Sequence, residues 1–123
     1  MRQSRPATKT VEELVIEFVK IGVAQDRALL EDEIARFNQL FDKKMIVLES
    51  LKALPGDQRR ALLTLFEHSN MQVRLNAAKA TLAVAPGPAR SQLEAIAASK
   101  HFPQAGDAGM SLWNLDRGVF KPT

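Results

Sequence analysis

Between Met71 and Ala85 the chain carries apolar residues on two sides of a helix rather than one. At about 100° per residue, Met71, Leu75, Ala78, Leu82 and Ala85 fall on one side, and Val73, Ala77, Ala80 and Val84 fall roughly opposite. Gln72, Asn76 and Lys79 fill the wider gap between them, with Ala83; Arg74 and Thr81 fill the narrower one. A surface helix has a single apolar stripe, so a helix with two is packed between layers. The pattern predicts a stacked helical array.

The flanking segments read as helices with recognisable punctuation. Thr10-Val11-Glu12-Glu13 has capping-box spacing, with Thr10 as cap and Glu13 reaching back. Leu14, Val15, Phe18 and Ile21 continue at helical spacing to about Val23, and Asp26 can cap a second helical region. Leu29, Leu30, Ile34, Phe37, Leu40 and Phe41, then Met45, Ile46, Leu48, Leu51 and Leu54, recur until Pro55-Gly56. One helix of that length is unusual in a small domain, so a break is expected within 31–44. Asp57 restarts a helix bearing Leu62, Leu63, Leu65 and Phe66. His68-Ser69-Asn70 forms a short turn with Asn70 capping the two-faced helix. Pro86-Gly87-Pro88 ends that helix, and Pro88 suits the first turn of the next, anchored by Leu93 and Ile96. Pro103 can open a final helix that Gly118 ends. No segment alternates at period two, so strands are not needed. Residues 1–9, polar and containing Pro6, read as a disordered tail before a single all-α domain over 10–123.

A shift of 30 residues takes Arg60 to Arg90, Leu63 to Leu93, Phe66 to Ile96, Ala78 to Ala108, Thr81 to Ser111 and Leu82 to Leu112. Matches at core positions are what a stacked repeat requires. Val73-Arg74-x-x-Ala77-Ala78-x-x-x-Leu82 resembles the second-helix signature of HEAT repeats. Residues 87–117 resemble a degenerate second unit with Pro103 and Gln104 in place of Val73 and Arg74. Over its whole length the chain is similar to a family of short bacterial proteins of unknown function with HEAT-like helices. That likeness is carried by Phe37-Asn38-x-Leu40, Gln72-Val73-Arg74-Leu75 and Ala105-x-Asp107-Ala108-Gly109-Met110. The resemblance implies a short α-solenoid of five to seven helices and carries over no catalytic residue.

Charge and composition narrow the picture modestly. Arg2, Arg5 and Lys9 precede any acid and account for the whole excess of 17 basic over 14 acidic residues. Residues 10–56 hold 6 basic and 9 acidic side chains and residues 57–123 hold 8 and 5, a polarised but neutral body that suits an asymmetric protein contact. Absence of Cys excludes disulfides, thiolate metal sites and a thiol nucleophile. No apolar run approaches the ~20 residues of a membrane helix, and Met1–Pro6 lacks the apolar core of a secretory signal; a cytoplasmic location is expected.

Catalytic constellations are missing, and no cofactor or metal is expected. Gly106-Asp107-Ala108-Gly109 lacks the spacing and Lys of a phosphate loop. His68 and His101 belong to no helix-borne metal pattern and read as capping or surface groups. Glu31-Asp32-Glu33 could attract a cation, but three consecutive helical positions spread over about 200°, and a solvated face explains them.

Three features mark a candidate recognition surface. Gln72, Asn76 and Lys79 form the polar strip of the two-faced helix and would face an inner surface of the array. Trp113, with Met110 at i−3, flanks the final stripe Ala105-Ala108-Leu112-Leu115; exposed, the pair would anchor an interface. The sequence instead favours Val119 and Phe120 folding back over Trp113. Arg74, in the narrow seam, is expected to pair with a carboxylate or carbonyl rather than read a ligand.

The expected function is non-catalytic recognition of another protein, as an adaptor, regulator or toxin-neutralising partner, by a monomer or weak homodimer. The rival is binding of a nucleic-acid backbone through Arg59, Arg60, Arg74, Lys79 and Arg90 with the basic tail; the neutral body and scarce aromatics argue against it.

Overall fold

The computed structural model describes residues 9–123, which form six helices and no strand. Helix α1 spans Val11–Leu30 and α2 spans Ile34–Ala53; a 3₁₀ helix covers Gln58–Glu67. Helices α3 (Met71–Ala80), α4 (Pro86–Ala98) and α5 (Gln104–Asp116) complete the chain. Consecutive helices pair as α1 with α2, the 3₁₀ helix with α3, and α4 with α5, while α3 also packs on α1, α4 and α5. Among the described residues no helix is long and apolar enough to cross a membrane.

The two apolar sides of α3 enter two separate cores. Val73 and Ala77, fully buried, join Leu14, Phe18, Leu40, Val47, Leu51 and Leu62 from α1, α2 and the 3₁₀ helix. Leu75 and Ala78, with Leu82 just beyond the helix, join Ala89, Leu93, Ile96 and Ala108 from α4 and α5. Phe66 packs against both cores. Helix α3 is therefore the layer between two hydrophobic cores, as its two stripes predict. It is shorter than expected: the Thr81 hydroxyl donates to the carbonyls of Ala77 and Ala78 at 2.9 and 3.3 Å, and residues 81–84 turn instead of continuing to Ala85. Val84 is only half-buried there.

Local signals explain most ends. The Thr10–Glu13 capping box is formed at both of its hydrogen bonds, 3.1 and 2.9 Å. Gly56, at φ 79°, lies just past α2, and Gly118, at φ 72°, just past α5; both use the left-handed conformation open to glycine. One expectation needs correction and another gains its place. Helix α1 runs unbroken past Val23, so Asp26 caps nothing and sits inside it. The break within 31–44 falls at residues 31–33, where Asp32 adopts φ 59°, a conformation that Asp reaches more readily than most non-glycine residues.

The helix after Asp57 forms as predicted, but with 3₁₀ geometry over ten residues, longer than such runs usually are. With three residues per turn, Leu62 and Leu65 share one buried row, and Leu63 and Phe66 share a neighbouring half-buried one. Ala78 and Ala108, matched by the 30-residue shift, are both fully buried.

Candidate functional site

Helices α1 and α3 cross almost in backbone contact. A methyl group added at Gly22 would lie 2.8 Å from Val73 Cγ2 and 3.2 Å from Val73 Cα. That approach brings the polar strip of α3 against α1. Gln72 and Asn76 are 5% and 3% exposed, which removes them from the accessible surface where the sequence placed them.

Their amides form a ladder across three helices. Gln104 Nε2 on α5 donates to Gln72 Oε1 at 2.9 Å, Gln72 Nε2 to Asn76 Oδ1 at 3.0 Å, and Asn76 Nδ2 to Gln25 Oε1 on α1 at 2.7 Å. Asp26 closes the near end, accepting from Gln104 Nε2 and Asn70 Nδ2, both at 3.3 Å. Asn70 also caps α3 as expected, its Oδ1 accepting from the amides of Gln72 and Val73 at 2.9 and 3.2 Å. His68 Nδ1 accepts from the Asn70 amide at 3.0 Å. Only Gln25 Nε2 and Gln104 Oε1 lack protein partners along this ladder. A buried network so nearly satisfied fixes helix positions.

Lys79, the third member of the predicted strip, remains exposed and donates to Asp107 Oδ1 at 2.9 Å. It lines a cavity of about 200 Å³ whose other walls are Met45, Leu48, Glu49 and Lys52 of α2, Arg59, Ala80, Ala83, and the C-terminal Phe120, Pro122 and Thr123. A second hollow places Phe120 beside Lys79, Leu82, Ser111 and Asn114. The C-terminal segment therefore runs along the groove between α2 and α5. It does not cover Trp113, which is 56% exposed and stacks only with Arg117, 4.9 Å from its ring centroid. The expected fold-back of Val119 and Phe120 over Trp113 is thus corrected: backbone bonds from both residues to the Asn114 carbonyl turn the segment elsewhere. Met110 is 52% exposed beside it.

Lys44 escaped the sequence reading, although it shares the buried register of Leu40, Val47 and Leu51 on α2. It is 8% exposed, and its Nζ lies 4.7 Å from the Phe41 ring centroid. Burial, and then the Lys79 charge, lower its pKa to about 8, with Asp107 opposing. Gln25 gave the same signal, a polar residue in phase with Leu14, Phe18 and Ile21.

The cations of the nucleic-acid reading are each engaged internally. Arg59 pairs with Asp57 at 2.7 Å, Arg60 donates to the Val84 carbonyl, and Arg90 binds Asp116 in a fork at 2.7 and 3.0 Å. With the Gln92 amide turned so that its oxygen faces the guanidinium, Arg74 donates to it from Nη2 and Nε, both at 3.2 Å. Its partner is thus a carbonyl of a neighbouring helix, as expected, but one carried by the Gln92 side chain of α4 rather than by the backbone. Glu31, Asp32 and Glu33 are separated by the turn a shared ion would need, yet all three are exposed. Among the described residues no group of three or more His, Cys, Asp or Glu is placed to hold a metal. The tail residues Arg2 and Arg5 lie outside the described residues, and Lys9 pairs with Glu17 at 2.6 Å.

Comparison with known proteins agrees with this architecture. A crystal structure of the protein RPA1889 from Rhodopseudomonas palustris CGA009 is 61% identical in sequence, with 93% of this chain and 94% of that chain covered at a TM-score of 0.90. Comparison with curated proteins finds no match. Residues 12–116 match the model of a domain of unknown function, DUF2019, and the chain belongs to that family.

Proposed function

We propose that this domain is a non-catalytic recognition module for another protein, built as a short HEAT-like array, and that its contact surface is the groove between α2 and α5 with its rim. The observation that carries the reading is a set of large apolar side chains left exposed on the two helices that flank that groove, of which Met45 lines the groove itself. Phe41 and Met45 stand one turn apart on α2 at 44% and 40% exposure, and Met110 and Trp113 stand on α5. Exposed aromatic and Met side chains are the types enriched at protein interfaces. A cavity of about 200 Å³ is below the roughly 300–1,000 Å³ of small-ligand clefts, but it accommodates a side chain or two of a partner. The HEAT-like reading is supported by the α3 signature lying between two cores and by the 30-residue correspondence of the later hairpins.

Nucleic acid is the less favoured partner, because Arg59, Arg60, Arg74, Lys79 and Arg90 are all occupied by internal acceptors. Co-purification from the native cell, paired with duplex-DNA binding at several salt concentrations, separates the two. A stoichiometric protein partner supports the module. Tight DNA binding that falls steeply with salt, without a protein partner, overturns it.

A further inference from the structure

The groove is already occupied in part by the chain itself. Beyond Gly118 no further helix forms, and Pro122 biases Lys121 towards extended backbone. Side chains two apart on such backbone share a side. Phe120 and Pro122 accordingly both line the groove with Met45, Leu48 and Ala83, whereas Val119 and Lys121 line neither of its hollows. Phe120 also reaches the second hollow, beside Lys79, Leu82 and Asn114.

The hold on this segment is slight. The amides of Val119 and Phe120 donate to the Asn114 carbonyl at 3.0 and 3.2 Å, which closes the end of α5. Farther along, Arg59 Nη2 reaches the Thr123 carbonyl only at 3.5 Å, from a guanidinium already forked on Asp57. Phe120 stays 47% exposed and belongs to neither core, so the segment can lift while both cores stay closed. We propose that residues 119–123 are a releasable strap, and that the protein partner enters the groove by displacing it with a segment of the same chemistry, an aromatic residue followed two positions on by proline. This rests on the protein-recognition reading above and names what the partner presents.

The test uses the full chain and follows the Met45 and Leu48 methyl resonances by NMR. The probe is an acetylated, amidated Gly-Val-Phe-Lys-Pro-Thr peptide at up to millimolar concentration, with an Ala-for-Phe peptide as control. Phe120→Ala and, separately, Pro122→Gly loosen the strap in positions outside both cores, so each should keep the helical circular dichroism. A strap closed about nine-tenths of the time weakens apparent affinity about tenfold. Both variants are therefore expected to bind the Phe peptide about tenfold more tightly than the wild type, with shifts at Met45 and Leu48, and to ignore the control. Equal affinity of wild type and variants, no binding to either variant, or binding of the control peptide as tight as that of the Phe peptide would overturn the proposal. Equal capture of a native protein partner by wild type and Phe120→Ala would also overturn it while leaving protein recognition standing. Capture of no partner by either would remove the broader reading and the strap's role with it.

Discussion

Asn76 on α3 donates a 2.7 Å hydrogen bond to Gln25 on α1, 51 residues away and buried at both ends. The pair turns what looks like a solvated polar strip into part of the interior. Replacing Asn76 by Leu strands Gln25 Oε1 and Gln72 Nε2 without partners, so a loss of about 2–4 kcal/mol is expected. A solvent-facing position would change stability by no more than about 0.5 kcal/mol. Urea denaturation of the two proteins decides between these values.

Gly22 is the closest point of the same helix crossing. Alanine is preferred over glycine in a helix by about 1 kcal/mol, yet Gly22→Ala is expected to destabilise by about 1–3 kcal/mol, because Val73 occupies the space. The approach to the Val73 Cα leaves backbone, not only a movable side chain, in the way. A stabilised variant in thermal unfolding would mean the helices sit further apart.

What the sequence disclosed and what it hid divide along physical lines. The capping box at Thr10, the Asn70 cap, the Gly118 stop and the two stripes of α3 depend on residues within a few positions of one another, so they were legible. A break between α1 and α2 was expected from length, but its place at Asp32 was not legible, because the left-handed residue there is neither Gly nor Pro. The 3₁₀ geometry of 58–67 was hidden because apolar pairs at i, i+3 and at i, i+4 coexist there. The amide ladder was hidden because a polar strip has the same pattern whether it meets water or amides 32 and 51 residues distant. Gln25 and Lys44, polar residues in apolar registers, were the available clues to the interior ladder and the groove.

Lys44 also gives the protein a pH dependence of definite sign. Its pKa falls from 10.5 to about 8, chiefly through burial, with Lys79 adding to the fall and Asp107 opposing it. Between those values the unfolded chain binds more protons than the folded one, so this contribution to stability rises with pH. Below about pH 8 the charged form is held at its full penalty. Lys44→Met is therefore expected to raise stability at pH 7 by about 1–3 kcal/mol, at roughly 1.4 kcal/mol per pKa unit, with the gain fading towards pH 10.5. Urea midpoints of both proteins at pH 7 and pH 10.5 measure it; destabilisation at pH 7 would reveal an internal partner for the ammonium.

Trp113 reports on the C-terminal segment. Because Val119 and Phe120 run along the groove rather than over the indole, truncation after Gly118 should leave the already solvent-exposed tryptophan emission unchanged. A red shift on truncation would show that the segment covers Trp113.

The most direct test of protein recognition through the groove is site-specific photocrosslinking in the native cell. A benzophenone amino acid at Met45, on the groove wall, should yield one discrete protein adduct. The same group at Ala98, exposed on α4 away from the groove, should yield none. Equal adducts from both positions, or none from Met45, would contradict a partner bound at this surface.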